Sequence, residues 1–386
     1  MSWSTVRADQ FCTLITDGTH DSPKPQQSGW KLITSKHLKG HYIDFDSANW
    51  ISEADYLKVI SRSAVEQWDI LFSMIGTIGN IYLEKNPHVE YACKNMGIFK
   101  FSGNKENALW MYYYLKSPQA KAYIQTHLRG STQAYVPLGG LREMPVPVPP
   151  QSVRNEIIAV LRPIDEKIEC NNAINDNLQQ QAAALFSSLY DQSNTEVRFT
   201  DLIQILGGGT PKTGENTYWN GNIAFFTPKD VGTPYTLITE KTISKEGLSH
   251  CNSRLYPVNT VFVTARGTVG KVGMSGVPMA MNQSCYALVG KETHQLLVYF
   301  YTLKAVDRLK HKASGAVFDA ITTRDFESEQ IMKLSDDDAT AFLRVAEPMF
   351  QEVLNNNIEN LRLSTLRDSL LPKLMSGEID VSAVLL

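Results

Sequence analysis

Cysteine is sparse in this 386-residue chain: Cys12, Cys93, Cys170, Cys251 and Cys285 are scattered with no CxxC pair. An odd, dispersed set argues against a disulfide framework and leaves buried thiols as the expected role. The eight histidines include no HExxH pair, so the common helical zinc site is missing. Gly267-Thr268-Val269-Gly270-Lys271-Val272 imitates a phosphate loop. However, Ala265 stands where the first glycine is needed and Val272 where a metal-binding hydroxyl is needed. Asp165-Glu166-Lys167 resembles the end of a nuclease motif but falls mid-helix with no partner acid on a strand. No Asn-Pro-Pro-aromatic or Asp-Pro-Pro-aromatic stretch is present to hold the target amine of an amino-methyltransferase. Long apolar runs are also missing, and Met1-Ser2-Trp3-Ser4-Thr5-Val6-Arg7 lacks the apolar core of a signal peptide, so a cytoplasmic, non-membrane protein is expected. These absences predict a chain without catalytic residues, metal or cofactor of its own.

What is present is repetition. Asp17-Gly18-Thr19 returns as Gly208-Gly209-Thr210 and Gly76-Thr77-Ile78-Gly79-Asn80 as Gly267-Thr268-Val269-Gly270-Lys271, each 191 residues on. Thr34-Ser35-Lys36-His37-Leu38 returns as Thr227-Pro228-Lys229-Asp230-Val231 after 193, and Gly130 and Pro163 return as Gly315 and Pro348 after 185. A period this long is a duplicated domain. Two similar units predict a pseudo-twofold molecule, and a duplex read at two places is the target with that symmetry.

The predicted fold class is α+β: two similar globular domains separated by two long antiparallel coiled-coil helices. The predicted boundaries are 1–150 and 196–334 for the globular domains, 151–195 for a central helix, and 335–386 for a distal helix and tail. Short β-like runs (30–34, 70–75 and 97–101, then 223–226, 260–264 and 285–289) precede one helix in each domain, over Ala108–His127 and Leu296–Lys310. Met144-Pro145-Val146-Pro147-Val148-Pro149-Pro150 is a stiff extended exit into the central helix. There Ile157, Leu161, Ile164, Ile168, Asn171, Asn175, Leu178, Ala182, Leu185 and Leu189 alternate by four and three, the spacing of a coiled-coil seam. At 1.5 Å per residue this is a rod of roughly 60 Å. Leu343, Phe350, Leu354, Ile358, Leu361, Leu366, Leu370 and Leu374 form the distal stripe, with Asn355, Asn356, Asn357 and Asn360 opposite Asn171 and Asn175 as a register device. Ile164, Ile168, Asn171, Asn175, Leu178, Leu185, Phe350, Leu354, Asn357, Leu361 and Leu370 are the expected helix-pairing and partner-facing residues. The net charge of −3 divides as +2 and +3 over the globular domains against −3 and −5 over the helices, which assigns phosphate-facing charge to the former.

The remaining candidates are residues of contact. Lys36-His37 and Lys229-Asp230 sit where a strand gives way to a turn. Arg266 and Lys271 flank the second glycine turn, Lys94-Asn95 and Asn282-Gln283 precede strands, and Arg129, Ser131 and Gln133, with Lys312 and Ser314, open late loops. Lys212, His20 and Lys24 follow the Gly-Thr element as weaker candidates. Arg, Lys, Asn and Gln have the donor geometry that reads guanine and adenine edges. Their recurrence at equivalent places, differing in detail, fits two readers of different half-sites.

Gly208-Gly209-Thr210-Pro211-Lys212, Tyr218-Trp219-Asn220-Gly221-Asn222-Ile223 and Phe226-Thr227-Pro228-Lys229-Asp230-Val231 together resemble the opening of a target recognition domain in the specificity (S) subunits of type I restriction-modification systems. Leu366-Arg367-Asp368-Ser369-Leu370-Leu371-Pro372-Lys373-Leu374-Met375-Ser376-Gly377-Glu378-Ile379 is similar to that family's distal helix, and Val146 to Pro150 with Ile157 to Ile168 to its central one. The first domain departs most, with Asp17 for the first glycine and His20 for the proline. The resemblance implies a non-catalytic DNA-reading subunit in which each domain reads half of a bipartite target in double-stranded DNA. The helices would set the gap and receive two methyltransferase (M) subunits carrying S-adenosylmethionine. Restriction (R) subunits using ATP and Mg would join that core. The alternatives are an S-like subunit of a two-component type IIB-like system, an enzyme with an unrecognised site, and a coiled-coil scaffold with no DNA role.

Overall fold

The computed structural model describes residues 3–40, 42–232, 234–312 and 320–381. It divides into a first unit, Met1–Glu169 with Leu363–Leu386, and a second, Cys170–Arg362. The repeat in the sequence is a repeat of structure. In the first unit Ser4–Arg7 pairs antiparallel with Pro145–Val148, and in the second Thr195–Arg198 pairs with Gln330–Lys333. The register matches: Ser4 faces Val148 and Thr195 faces Lys333, at offsets of 191 and 185. The proline-rich exit is therefore a strand as well as a stiff spacer. A two-stranded ribbon tolerates Pro145 and Pro147 because a proline costs only its own donor there.

Each unit then holds one larger and one three-stranded sheet. The first unit's larger sheet is ordered Leu14–Asp17, Met96–Lys100, Ile70–Ser73, Ile81–Leu83. The second unit's is ordered Ile203–Gly207, Cys285–Gly290, Val261–Thr264, Val272–Ser275, with Tyr235–Thr236 added at the edge. Ile70–Ser73 and Val261–Thr264 are buried along their whole length, which accounts for their unbroken apolar runs. The smaller sheets place Trp30–Ile33 between Asn49–Ile51 and Tyr91–Cys93, and Trp219–Phe226 between Lys241–Ile243 and Met279–Met281.

The helix expected over Ala108–His127 is two helices, Lys105–Lys116 and Pro118–Thr126. Pro118 cannot donate to a preceding turn, and the Ser117 side chain accepts from the Ala120 N–H to start a new one. Its counterpart, Gln295–Lys312, is continuous.

The central helix spans Gln151–Gln192 with Pro163 inside it, and the distal helix spans Asp336–Ser376. Within the first unit, Ile157 and Leu161 share a core with Leu371, Leu374 and Met375, Leu370 packs against it, and Ile164 and Ile168 are half-buried. Within the second unit the pairing is antiparallel. Asn171 Nδ2 donates to Asn360 Oδ1 (2.9 Å) and Asn175 Nδ2 to Asn357 Oδ1 (3.0 Å), while Asn356 Nδ2 donates to Asn175 Oδ1 (2.9 Å). Amides bonded to one another across the pair fix register, because a slip breaks these bonds; Asn171 Oδ1 alone of this set has no hydrogen-bond partner among the described residues. Phe350 and Leu354 are core residues, Leu178 and Leu185 pack against that core, and Leu361 is half-buried. Two details differ from the expected stripes. Leu366 is 47% exposed, and Phe186 and Tyr190, passed over in the seam, are core residues of the second unit.

Candidate nucleic-acid interface

Three loops gather at one place in each unit. The first is the turn at Thr34–Leu38, repeated at Thr227–Val231. Its first backbone N–H must be capped, and the two units do this differently. His37 Nδ1 accepts from the Thr34 N–H at 2.9 Å, whereas Asp230 Oδ2 accepts from the Thr227 N–H at 2.8 Å and hydroxyl at 2.6 Å. His37 was expected to face a ligand; it is 2% exposed and is spent on this cap. Accepting at Nδ1 puts the ring proton on Nε2, which has no hydrogen-bond partner among the described residues. Burial, helped by neighbouring Lys36, pushes the His37 pKa down.

The second loop is the glycine turn. Gly76 and Gly79 have φ of +78° and +88°, and Gly267 and Gly270 have +82° and +73°. That left-handed backbone explains why these glycines recur. The turn is tied to the first loop by a threonine: Thr77 Oγ1 donates to the Ser35 carbonyl at 3.4 Å and Thr268 Oγ1 to the Pro228 carbonyl at 3.2 Å. Asn80 Nδ2 adds a bond to the Leu38 carbonyl at 3.4 Å.

The third is the late loop. The Val136 N–H donates to the Met74 carbonyl at 2.9 Å and the Ile321 N–H to the Ala265 carbonyl at 2.9 Å, again at offsets of 185 and 191. Beside these bonds, backbone bridges join Ile75 to Tyr135 and Tyr135 to Arg129 in the first unit, and Arg266 to Ala320 in the second.

The expected contact residues fall into three groups. Lys36, Arg129, Ser131, Gln133, Lys229, Arg266 and Lys271 are exposed on or beside these loops, and Lys229 Nζ lies 3.6 Å from Glu240; Lys212 is exposed on the segment before Trp219, whose Nε1 donates to its carbonyl. A second group holds loops in place. Lys94 Nζ donates to Ser22 Oγ, Asn95 Oδ1 lies 2.8 Å from His20 Nδ1, Asn282 Oδ1 accepts from the Ser284 N–H at 3.0 Å, and Gln283 Oε1 accepts from Thr210 Oγ1. Lys312 is committed inward, its ammonium bonded to the buried Glu329 carboxylate. Ser314, which the 185-residue offset pairs with Arg129, lies outside the described residues. Sequence reasoning missed Tyr135, Thr77 and Thr268. The repeat contained the two threonines, but nothing marked the ring of Tyr135, which is 40% exposed.

Gly18 and Gly208 hold the strand ends beneath these loops. A Cβ on either would overlap a backbone carbonyl, of Cys93 or of Asn282, so only glycine lets the chains cross there. Among the described residues no group of three or more His, Cys, Asp or Glu side chains is placed to hold a metal ion. Nor, among the described residues, is any helix long and apolar enough to cross a membrane.

The comparisons agree with this architecture. The family model described as the type I restriction modification DNA specificity domain matches residues 3–180 and 192–333. The chain is 22% identical to the type I restriction enzyme HindI specificity subunit of Haemophilus influenzae, over 85% of this chain and 90% of that protein. It is 26% identical to the EcoR124I/EcoR124II specificity subunit of Escherichia coli, over 51% of each. Among solved structures, the type I restriction-modification S subunit from M. genitalium superposes with a TM-score of 0.57 at 14% identity, covering 97% of this chain and 96% of that one. Two sibling α+β units, each presenting the same three tied loops, are thus found in a chain that belongs to the family of type I restriction-modification DNA specificity subunits.

Proposed function

We propose that this chain is the DNA-reading subunit of a type I complex and performs no reaction itself: each unit reads one half of a bipartite duplex target. The observation that carries this reading is the recurrence of the three tied loops, with exposed Lys36 and Arg129 on one set and Lys229, Arg266 and Lys271 on the other. Lysines and arginines attract phosphates irrespective of sequence, while arginine, asparagine and glutamine donors select bases. Two M subunits dock on the helices and bring S-adenosylmethionine; R subunits bring ATP and Mg; this chain carries no cofactor. The complex acts in the cytoplasm, and the length of the central helix sets the accepted spacer between half-targets.

Footprinting of the complex with its methyltransferase partner tests the division of labour. Replacing Lys229 and Lys271 together by alanine is expected to abolish protection on one half-target only. The slope of log affinity against log salt should fall by about 2, near 0.9 for each phosphate no longer neutralised. Lys36→Ala should abolish protection on the other half. Equal weakening on both halves would overturn the reading, and targets with the spacer varied by one base pair test the role of the helix.

A further inference from the structure

The bridges that tie the late loop to the glycine turn form a miniature antiparallel ladder. In the first unit its rungs are Ile75, Tyr135 and Arg129 in order. In the second, the rung equivalent to Ile75 is Arg266, facing Ala320, the equivalent of Tyr135. Residues directly opposite in antiparallel strands send their side chains to the same face. Each unit therefore brings an arginine to this face, from a different rung. Both guanidiniums are exposed, and among the described residues neither has a hydrogen-bond or ion-pair partner. By contrast Arg62, Arg142 and Arg154 in the first unit and Arg308 in the second are engaged with protein oxygens. Tyr135 fills the first unit's ladder where the second has only the methyl of Ala320.

We propose that Arg129 and Arg266 are the guanine-reading residues of their respective units, and that the rung carrying the arginine sets where in the half-target that guanine falls. This rests on the reading that each unit contacts one half of the target. A guanidinium offers two parallel N–H groups to the O6 and N7 of guanine, and no other base edge in the major groove presents two acceptors in that way. Ile75 and Arg129 are two strand spacings apart, about 9.5 Å, against a rise of about 3.4 Å per base pair. Moving the arginine between these rungs displaces its guanine by roughly two to three base pairs.

The experiment is target selection from random duplexes, or mapping of methylated adenines, using the complex of the full chain with its methyltransferase partner. Arg129→Lys keeps the charge but loses the bidentate fork. It is expected to cost about 10- to 100-fold in preference for guanine at a single position of the first half-target. The second half-target should be unchanged, which also reports that the variant is folded. Arg266→Lys should do the same at one position of the second half-target. Ile75→Arg with Arg129→Ser, which moves the arginine to the rung that Arg266 occupies in the second unit, should move the guanine by two or three base pairs. A uniform drop in affinity with an unchanged selected sequence would identify phosphate contacts and overturn the assignment, as would full retention in both lysine variants. A wild-type motif without two separable halves would instead overturn the reading beneath it; two halves with no guanine dependent on either arginine sink the assignment alone.

Discussion

At equivalent places in their interiors the two units exchange charge for aromatic packing, and they do so in opposite directions. In the first unit Asp165 is buried, with Arg367 Nη1 at 2.7 Å and Lys116 Nζ at 3.4 Å. The 185-residue offset carries these three to Phe350, Ala182 and Tyr301, which lie in an aromatic cluster with Phe300–Phe350 centroids 5.5 Å apart and Phe186–Tyr301 centroids 5.4 Å apart. At the foot of the late loop the trade reverses. Glu329 of the second unit, 0% exposed, is bonded by Lys312 and approached by Arg308 Nε at 3.6 Å. Its counterparts are Met144, His127 and Tyr123, the last two stacked at 3.8 Å. The backbone is indifferent to the exchange: the Ala8 N–H reaches the Met144 carbonyl at 2.8 Å and the Phe199 N–H reaches the Glu329 carbonyl at 2.9 Å. A buried ion set and a packed apolar set are thus alternative solutions for one backbone, close in net stability but very different in what happens when a single member is removed.

That difference can be tested at its strongest with Asp165→Asn. It leaves the half-buried Lys116, whose pKa burial already pulls down, without its paired carboxylate, and Arg367 with Asp368 alone among the described residues. The expected cost is about 3–5 kcal/mol. Five of the six tryptophans lie in the first unit, so denaturant unfolding followed by tryptophan emission reports on it. The three-residue exchange Asp165→Phe, Lys116→Tyr, Arg367→Ala, which copies the second unit, should cost much less than the single change. If it costs more, the two arrangements are not interchangeable.

A smaller effect sharpens the comparison in the second unit, where the carboxylate is fully buried but the side chains of Lys312 and Arg308 are about half exposed. Lys312→Met strands much of the carboxylate and is expected to cost about 1–3 kcal/mol. Glu329→Met removes the buried charge and frees two cations that water can reach, so it should cost less. Thermal unfolding of both variants gives the order, and the reverse order would break the account.

The smallest effect concerns the two turn caps. The His37 pKa is depressed in the folded state, so its neutral form contributes stability above the unfolded value near 6.5, and this is lost as pH falls through the folded value. His37→Asp, which copies Asp230, should remove this loss between about pH 6.5 and 5, where a carboxylate remains a charged acceptor. The difference, at most about 1 kcal/mol, is readable in stability measured against pH; parallel curves for wild type and variant over that range would show that the imidazole is no cap.

The duplication, both long helices and the six strands marked by short β-like runs were legible in the sequence because each rests on a constraint that few residues satisfy. Gly76, Gly79, Gly267 and Gly270 recur because of their positive φ. The asparagines of the helices recur because they answer one another. The interior charges were not legible, since Asp165 in a helix reads as a solvated face until the chain places Lys116 and Arg367 around it. His37 was misread for a related reason: beside Lys36 it reads as part of a surface, and only the closed turn shows that its ring faces inward. Phe186 and Tyr190 escaped because a seam stepped by three and four passes beside them, whereas their rings meet Tyr301 of Gln295–Lys312, and that of Phe186 also Phe300 and Phe342. The ladder of Ile75, Tyr135 and Arg129 unites residues up to sixty positions apart and leaves no local signature.

The split of the first unit has a consequence for synthesis. Cys170–Arg362 is one unbroken stretch, but the unit begun before it is finished only by Leu363–Leu386. What the ribosome starts first is therefore closed last. Ile157 and Leu161 must wait for Leu371 and Leu374 while about 210 further residues are translated, on the order of 10–40 s at roughly 5–20 residues per second. During that interval the newborn amino-terminal portion shows an uncovered greasy flank, the kind of surface that chaperones hold, and a transcript truncated near its 3′ end would strand it in that state.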